Sequence, residues 1–278
     1  MTSSPEIGLT IEAAGVRTNY HDQGEGPAVL LIHGSGPGVT AWANWRLNMP
    51  ELAKSFRVLA PDMVGFGYTE PPREGVRDKK VWVEHLLGFL DALKLDKVSI
   101  VGNSYGGALT LAFMIAHPDR VERAVLMGAA GVEFPITEPL DKVWGYEPSL
   151  ENMREALRFL ATDPSRLTED LVRSRYEASA RPEAHRPYAA TFGPTPRQNH
   201  IKMLSSREDD IAALTHQVLL LHGKLDVVIP LDTSVRMAGL IKNSDLQAFG
   251  NCGHWVQIER AASFNRVVTQ FFKYGLNG

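Results

Sequence analysis

Short apolar runs recur along this chain at residues 29–32, 56–60, 98–101 and 124–127, each bounded closely by Gly, Pro, Asp or Asn. They carry no polar alternation, so they fit strands covered on both faces rather than strands with one face in water. Residues 80–93 change period. Val81, Val83, His85, Leu86, Phe89, Leu90 and Leu93 include an i, i+3, i+4 stripe, which predicts a helix. Strand-like runs alternating with helical stripes predict a parallel sheet with helices packed on it, an α/β fold. Residues 8–13 and 17–21 read as two further strands, an antiparallel edge that leads into the sheet through the turn Gly24-Glu25-Gly26.

After Gly131 the pattern breaks. Residues 134–205 are richer in Pro, Arg and Glu, with helical stretches near 150–160 and 169–179 and no strand-like run. The core pattern then returns with an apolar run at 218–222, a helix near 231–241, a strand near 246–249 and a closing helix that ends about Phe272. The division expected is therefore a core of residues 1–133 and 206–278 interrupted by a helical cap at 134–205. There is no internal repeat and no low-complexity tract.

Composition narrows the function. A chain of 278 residues with 44% hydrophobic content can bury one large core. A formal charge of −3 and no Lys/Arg-rich block argue against nucleic acid and against an anionic membrane surface, which leaves small-molecule chemistry. Residues 1–10 lack a positive stretch followed by an apolar one, and no segment approaches the ~20 apolar residues of a membrane span, so a cytoplasmic protein is expected. Cys252 is the single cysteine, which excludes an intrachain disulfide and cysteine-based metal sites. None of the nine histidines belongs to an H-E-x-x-H pattern, and no metal or cofactor is expected.

The strongest chemical signal is Gly102-Asn103-Ser104-Tyr105-Gly106, a G-x-S-x-G pattern that follows a strand and opens a helix read at 108–116. That context is the one a nucleophile elbow requires. A serine hydroxyl is weak at neutral pH and needs a base, itself oriented by a third group. Asp226 follows the strand ending at His222, and His254 follows the next strand. Alone, Asp226 reads equally as a turn-capping carboxylate and His254 as a polar residue at a helix start. In the order Ser104, Asp226, His254, each just past a strand end, they read as a triad in an α/β-hydrolase fold.

The rivals are weaker. Asp62 follows a strand but precedes Ser104, and is expected to fix its own loop. Cys252 is too near His254 in sequence to reach it well and reads as a buried small side chain. The loop Gly34-Ser35-Gly36-Pro37-Gly38 matches neither a P-loop nor G-x-G-x-x-G. Its place after His33 suits an oxyanion hole, formed by the backbone N–H groups of Ser35 and Tyr105.

Across nearly the whole chain the sequence resembles the meta-cleavage product hydrolases of aromatic catabolism, which cleave a carbon–carbon bond in ring-fission products. The resemblance is carried by His33-Gly34-Ser35-Gly36-Pro37-Gly38, Ala41-Trp42-Ala43-Asn44-Trp45-Arg46, Gly65-Phe66-Gly67-Tyr68, Gly102-Asn103-Ser104, Ser174-Arg175-Tyr176-Glu177 and Gly253-His254-Trp255. It implies a small dienoate substrate, 2-hydroxymuconic semialdehyde or a small 6-alkyl analogue, and a homodimer or larger homo-oligomer. It also implies substrate-binding roles for Asn44, Arg175 and Trp255, and by analogy a C6-substituent pocket at Leu140, Val143, Trp144 and Val227.

The residues allow other readings at two of these positions. Helical spacing sets Arg175 on one face with Leu171, Val172 and Tyr176. There it needs an anion, either a substrate carboxylate or an internal Asp or Glu. Asn44 is equally consistent with a helix-packing amide. A generic carboxylesterase, or a receptor that keeps the triad and binds without turnover, would carry the same triad. Aspartate-nucleophile dehalogenases and epoxide hydrolases share the architecture, but Ser104 stands at their nucleophile position.

Overall fold

The apolar runs become strands of a single sheet: β1 (Leu9–Ala13), β2 (Val16–Gln23), β3 (Ala28–Ile32), β4 (Arg57–Pro61), β5 (Val98–Asn103), β6 (Val121–Met127), β7 (Gln217–Gly223) and β8 (Ser244–Phe249). The computed structural model describes residues 4–71 and 78–276. Across the sheet the order is β1-β2-β4-β3-β5-β6-β7-β8. β2 pairs antiparallel with both β1 and β4, which makes the expected antiparallel edge. From β4 to β8 every pairing is parallel.

Successive side chains of a strand face opposite ways, and the core divides accordingly. Leu30, Ile32, Ile100, Leu126 and Leu220 enter one buried cluster. Val29, Leu31, Val101, Val125, Leu219 and Leu221 enter the other. Helices Lys79–Ala92 and Tyr105–Ala116 cover the first face with Trp82, Phe89, Leu109 and Phe113. Helix Ala261–Tyr274 covers the second with Phe264, Val268 and Phe271. Both faces are dry, which is why the runs lack polar alternation.

Between β6 and β7 the chain is helical, as the change in composition predicts. Residues 134–205 hold five helices where two were legible: Glu138–Trp144, Leu150–Leu160, Glu169–Ala180, Pro182–Phe192 and Gln198–Leu204. The first three start at Thr137, Ser149 and Thr168, whose side chains accept backbone N–H bonds from Leu140, Asn152 and Leu171. The fourth carries Pro187 in its interior, a residue that reads as a helix breaker and hides the element in a sequence scan. The helix after Ser104 begins at Tyr105, three residues before the predicted start at 108.

Candidate active site

Four loops meet at the carboxyl ends of the parallel strands, where open α/β sheets bind their ligands. They follow β3, β5, β7 and β8 and carry Ser35, Ser104, Asp226 and His254. Ser104 has φ 57° and ψ −115°, a conformation that costs a non-glycine residue about 1–3 kcal/mol and persists only where neighbours hold it. They do so here: Ser104 N–H donates to Met127 O at 2.8 Å, and a Cβ on Gly106 would stand 2.4 Å from Ile32 O. Only glycine lets the elbow seat this closely against β3.

His254 donates from Nδ1 to Asp226 Oδ2 at 2.7 Å. The other carboxylate oxygen accepts the backbone N–H groups of Val228 and Ile229 at 2.8 and 2.9 Å. His222 Nε2 stands 3.3 Å from Oδ2. Burial alone would raise the Asp226 pKa, but the charge and hydrogen bonds of His254 and His222 outweigh it and hold the carboxyl well below its ordinary range. The aspartate is thus an anion at any working pH, and it fixes the imidazole with Nε2 free to take a proton. Ser104 and His254 are both buried and line the same cavity. Their side chains are not hydrogen-bonded to each other, a contact that commonly tightens only once substrate is bound.

The glycine-rich loop lies against the elbow: a Cβ on Gly34 would stand 3.6 Å from that of Ser104. Among the described residues, no backbone group accepts the N–H of Ser35 or of Tyr105. Two donors beside a nucleophile are what an oxyanion hole needs.

The cavity measures about 260 Å³, near the small end of ligand pockets. Of the predicted binding residues, Asn44, Arg175, Trp255, Leu140 and Val143 all line it. Asn44 Oδ1 accepts from Asn103 Nδ2 at 2.9 Å, while Asn44 Nδ2 is buried with no partner. A buried unpaired donor at a cavity wall marks a place for a ligand acceptor. Arg175 meets the internal alternative weighed from the sequence: its guanidinium is ion-paired with Glu6 and donates to Gly38 O at 3.3 Å.

Two pocket assignments are corrected. Val227 is 51% exposed and faces away from the cavity, whereas its neighbour Val228 lines it. Trp144 is buried behind the wall, stacked on Phe192, and its indole N–H donates to Ser35 Oγ at 2.9 Å. Met153, Leu157 and Leu160 from helix Leu150–Leu160 complete the apolar wall and were not singled out from the sequence. The sequence marks 150–160 as a helical stretch but not which surface its apolar residues cover. Asn103, inside the elbow motif, was likewise passed over.

The remaining sequence candidates are structural. Asp62 accepts from the backbone of Ala41 and Tyr68 and from Asn19, and fixes its own loop as expected. Cys252 is fully buried, and burial pushes its thiol up to about 12. His33 accepts the Met63 N–H at 2.9 Å, and His85 is hydrogen-bonded to Thr18 at 2.8 Å.

These buried groups give the fold a signed pH dependence. Burial lowers His33 and His85 from 6.5 to about 4, so below pH 6.5 the unfolded chain binds protons that the fold refuses. Stability therefore falls as the pH falls from 6.5 toward 4. Asp62 acts oppositely: desolvation raises it from 3.8 to about 6, so across that range the fold binds a proton that the unfolded chain has lost. His21 and His200 are also shifted down by burial, so the histidines outnumber the single carboxyl and the net effect is a loss of stability toward acid. Denaturant midpoints measured from pH 6.5 to 4.5 are expected to drop steadily, and a flat profile would contradict the burial of these groups.

A family model described as alpha/beta hydrolase fold matches residues 27–261. The chain is 55% identical over 269 residues to a 2-hydroxymuconate semialdehyde hydrolase of Pseudomonas sp. strain CF600, covering 97% of this chain and 95% of that one. It is 54% identical to a 2-hydroxy-6-oxo-2,4-heptadienoate hydrolase of Pseudomonas putida strain F1, with 96% of each covered. A solved meta-cleavage product hydrolase from Pseudomonas fluorescens IP01 superposes with a TM-score of 0.96 at 51% identity, covering 97% of this chain and 99% of that one.

Proposed function

The chain belongs to the meta-cleavage product hydrolases of the α/β-hydrolase fold, and from that premise we propose how its site acts. The reaction is hydrolysis of the C5–C6 carbon–carbon bond of 2-hydroxymuconic semialdehyde or small 6-alkyl 2-hydroxy-6-oxohexa-2,4-dienoates. The products are 2-hydroxypenta-2,4-dienoate and a carboxylic acid. The observation that carries this reading is one cavity combining Ser104 and His254 with an unpaired buried amide at Asn44 and an apolar wall. A simple esterase has no use for such a buried polar end.

The dienol form of the substrate lacks an electron sink at the carbon that must leave. Ketonisation comes first: Asn44 holds the 2-oxo group, and a proton passes to C5 through His254. Ser104 Oγ then attacks the C6 carbonyl while His254 takes its proton. The oxyanion rests on the N–H groups of Ser35 and Tyr105. As it collapses, the C5–C6 bond breaks and its electron pair enters the conjugated 2-oxo system. His254 gives the proton it took from Ser104 to the C2 oxygen of the departing dienolate, which leaves as 2-hydroxypenta-2,4-dienoate, and the freed imidazole then deprotonates the water that releases the acyl group from Ser104. Trp255 flanks the dienoate. Leu140 and Val143, with Val228, form the wall for the C6 substituent, and residues 134–205 act as the cap that closes the site.

A cavity of about 260 Å³ favours hydrogen or methyl at C6 over phenyl. Because one methylene is worth only about 1–3 kcal/mol in an apolar pocket, discrimination among the small substituents should be shallow. The family resemblance further suggests a homodimer or larger homo-oligomer, and we read the protein as cytoplasmic. Among the described residues, no helix is long and apolar enough to cross a membrane.

The test is direct: the protein is mixed with yellow 2-hydroxymuconic semialdehyde and its 6-methyl and 6-phenyl analogues, and the visible dienolate absorbance is followed. The expected result is fast bleaching of the first two and slow bleaching of the third. No bleaching of any, with hydrolysis of simple esters, would make the protein a carboxylesterase.

A further inference from the structure

We propose that Glu6 is a positioning residue for substrate binding: it holds the Arg175 guanidinium at the wall of the reaction cavity, where the remaining N–H groups meet the substrate carboxylate. The proposal rests on the dienoate reading of that cavity. The ion pair with Glu6 does not exhaust the arginine. Of the five N–H groups of a guanidinium, Arg175 commits one from Nη1 to Gly38 O and one from Nη2 to Glu6 among the described residues, which leaves three. Arg175 lines the reaction cavity, as Asn44 does, so these donors stand at the polar end of the site.

Glu6 is behind the arginine rather than in the site. With Arg175 it lines an adjoining cavity of about 480 Å³, and it does not line the reaction cavity. The sheet edge fixes its place. Asn19, on β2, donates to Glu6 O at 3.0 Å, accepts the Gly8 N–H at 2.9 Å and donates to Asp62 at 2.8 Å. Asp62 in turn accepts the N–H of Ala41, where the short helix bearing Asn44 begins. One buried network thus sets the Glu6 backbone and the Asn44 helix in a common frame. The Glu6 carboxylate carries that frame across to helix Glu169–Ala180 and its Arg175.

Without this anchor the arginine has somewhere else to go. Its side chain is long and flexible, and the adjoining cavity gives the guanidinium room to turn out of the site. Holding it in one orientation before the substrate arrives removes an ordering cost from binding. The charge of Glu6 does not reverse the preference for an anion. Arg46, Arg166 and Arg175 line the reaction cavity, and among the described residues no Asp or Glu does.

Glu6→Ala and Glu6→Gln are assayed on 2-hydroxy-6-oxohepta-2,4-dienoate and on uncharged p-nitrophenyl acetate. Glu6→Ala is expected to raise KM for the dienoate roughly tenfold, with kcat changed less than about threefold and ester hydrolysis kept within about twofold. Glu6→Gln keeps an acceptor for Nη2 and should recover part of the loss. In an Arg175→Ala background, Glu6→Ala should add nothing, because its effect passes through the guanidinium. Should Glu6→Ala not fold, Glu6→Met keeps the aliphatic stem and removes the same charge and acceptor. A dienoate KM that is unchanged or lower overturns the proposal, since Glu6 would then be idle or a competitor for Arg175. Equal losses on both substrates overturn it as well, because Glu6 would only brace the fold. Failure of the wild-type protein to bleach any dienoate is a separate result, which removes the substrate reading before any variant is compared.

Discussion

Ser104→Ala is expected to lower kcat for dienoate cleavage by at least about 10³-fold while leaving the fold and the binding of the yellow dienoate intact. The hydroxyl is the only group removed. The elbow that holds Ser104 at φ 57° is built by backbone bonds and by Gly106, none of which uses the side chain. Single-turnover mixing separates the steps. The variant should still bleach about one equivalent of dienolate per site, as the ketonisation groups remain, and then stall with no 2-hydroxypenta-2,4-dienoate or acid released. Turnover within tenfold of wild type would mean that water attacks C6 without serine, and the assignment of Ser104 as nucleophile would fail.

Asp226→Asn should cost nearly as much, about 10²–10⁴-fold in kcat, for a different reason. The carboxylate is held far below its usual range because His254 and His222 both face it. An amide has no charge to stabilise the imidazolium that forms when Ser104 gives up its proton. Its NH₂ also offers a donor where His254 Nδ1 requires an acceptor, which favours the wrong tautomer. The bonds from Val228 and Ile229 to the other oxygen can survive, so the loop should keep its shape. A circular dichroism spectrum like that of wild type, with kcat reduced at every pH, is the expected outcome. Turnover within about tenfold of wild type would instead mean that the carboxylate is not needed to orient His254.

Much of this site could be read before the fold was known, because its parts are tied to chain order. A strand buried on both faces announces itself as an apolar run, and Ser104, Asp226 and His254 each lie a fixed short step beyond one. Where position depends on tertiary contact, local pattern is silent. Val227 and Val228 sit in a loop without period, so nothing distinguished the one that lines the cavity from the one in solvent. Trp144 has the bulk of a pocket residue, but its N–H is spent on Ser35 and its ring on Phe192. The pairing of Arg175 with Glu6 joins residues 169 positions apart, and nothing near either one signals the other.

The bond from the Trp144 indole to Ser35 links the inserted helices to the loop that is to steady the oxyanion. Roof and anvil are one mechanism. A substrate that lifts helix Glu138–Trp144 on its way in must pull on the same loop that will later meet its developing charge. Seating the helix and holding the loop are coupled through this one bond. In the proposed reaction the same bond would hold that loop in place while the inserted helices cover the substrate.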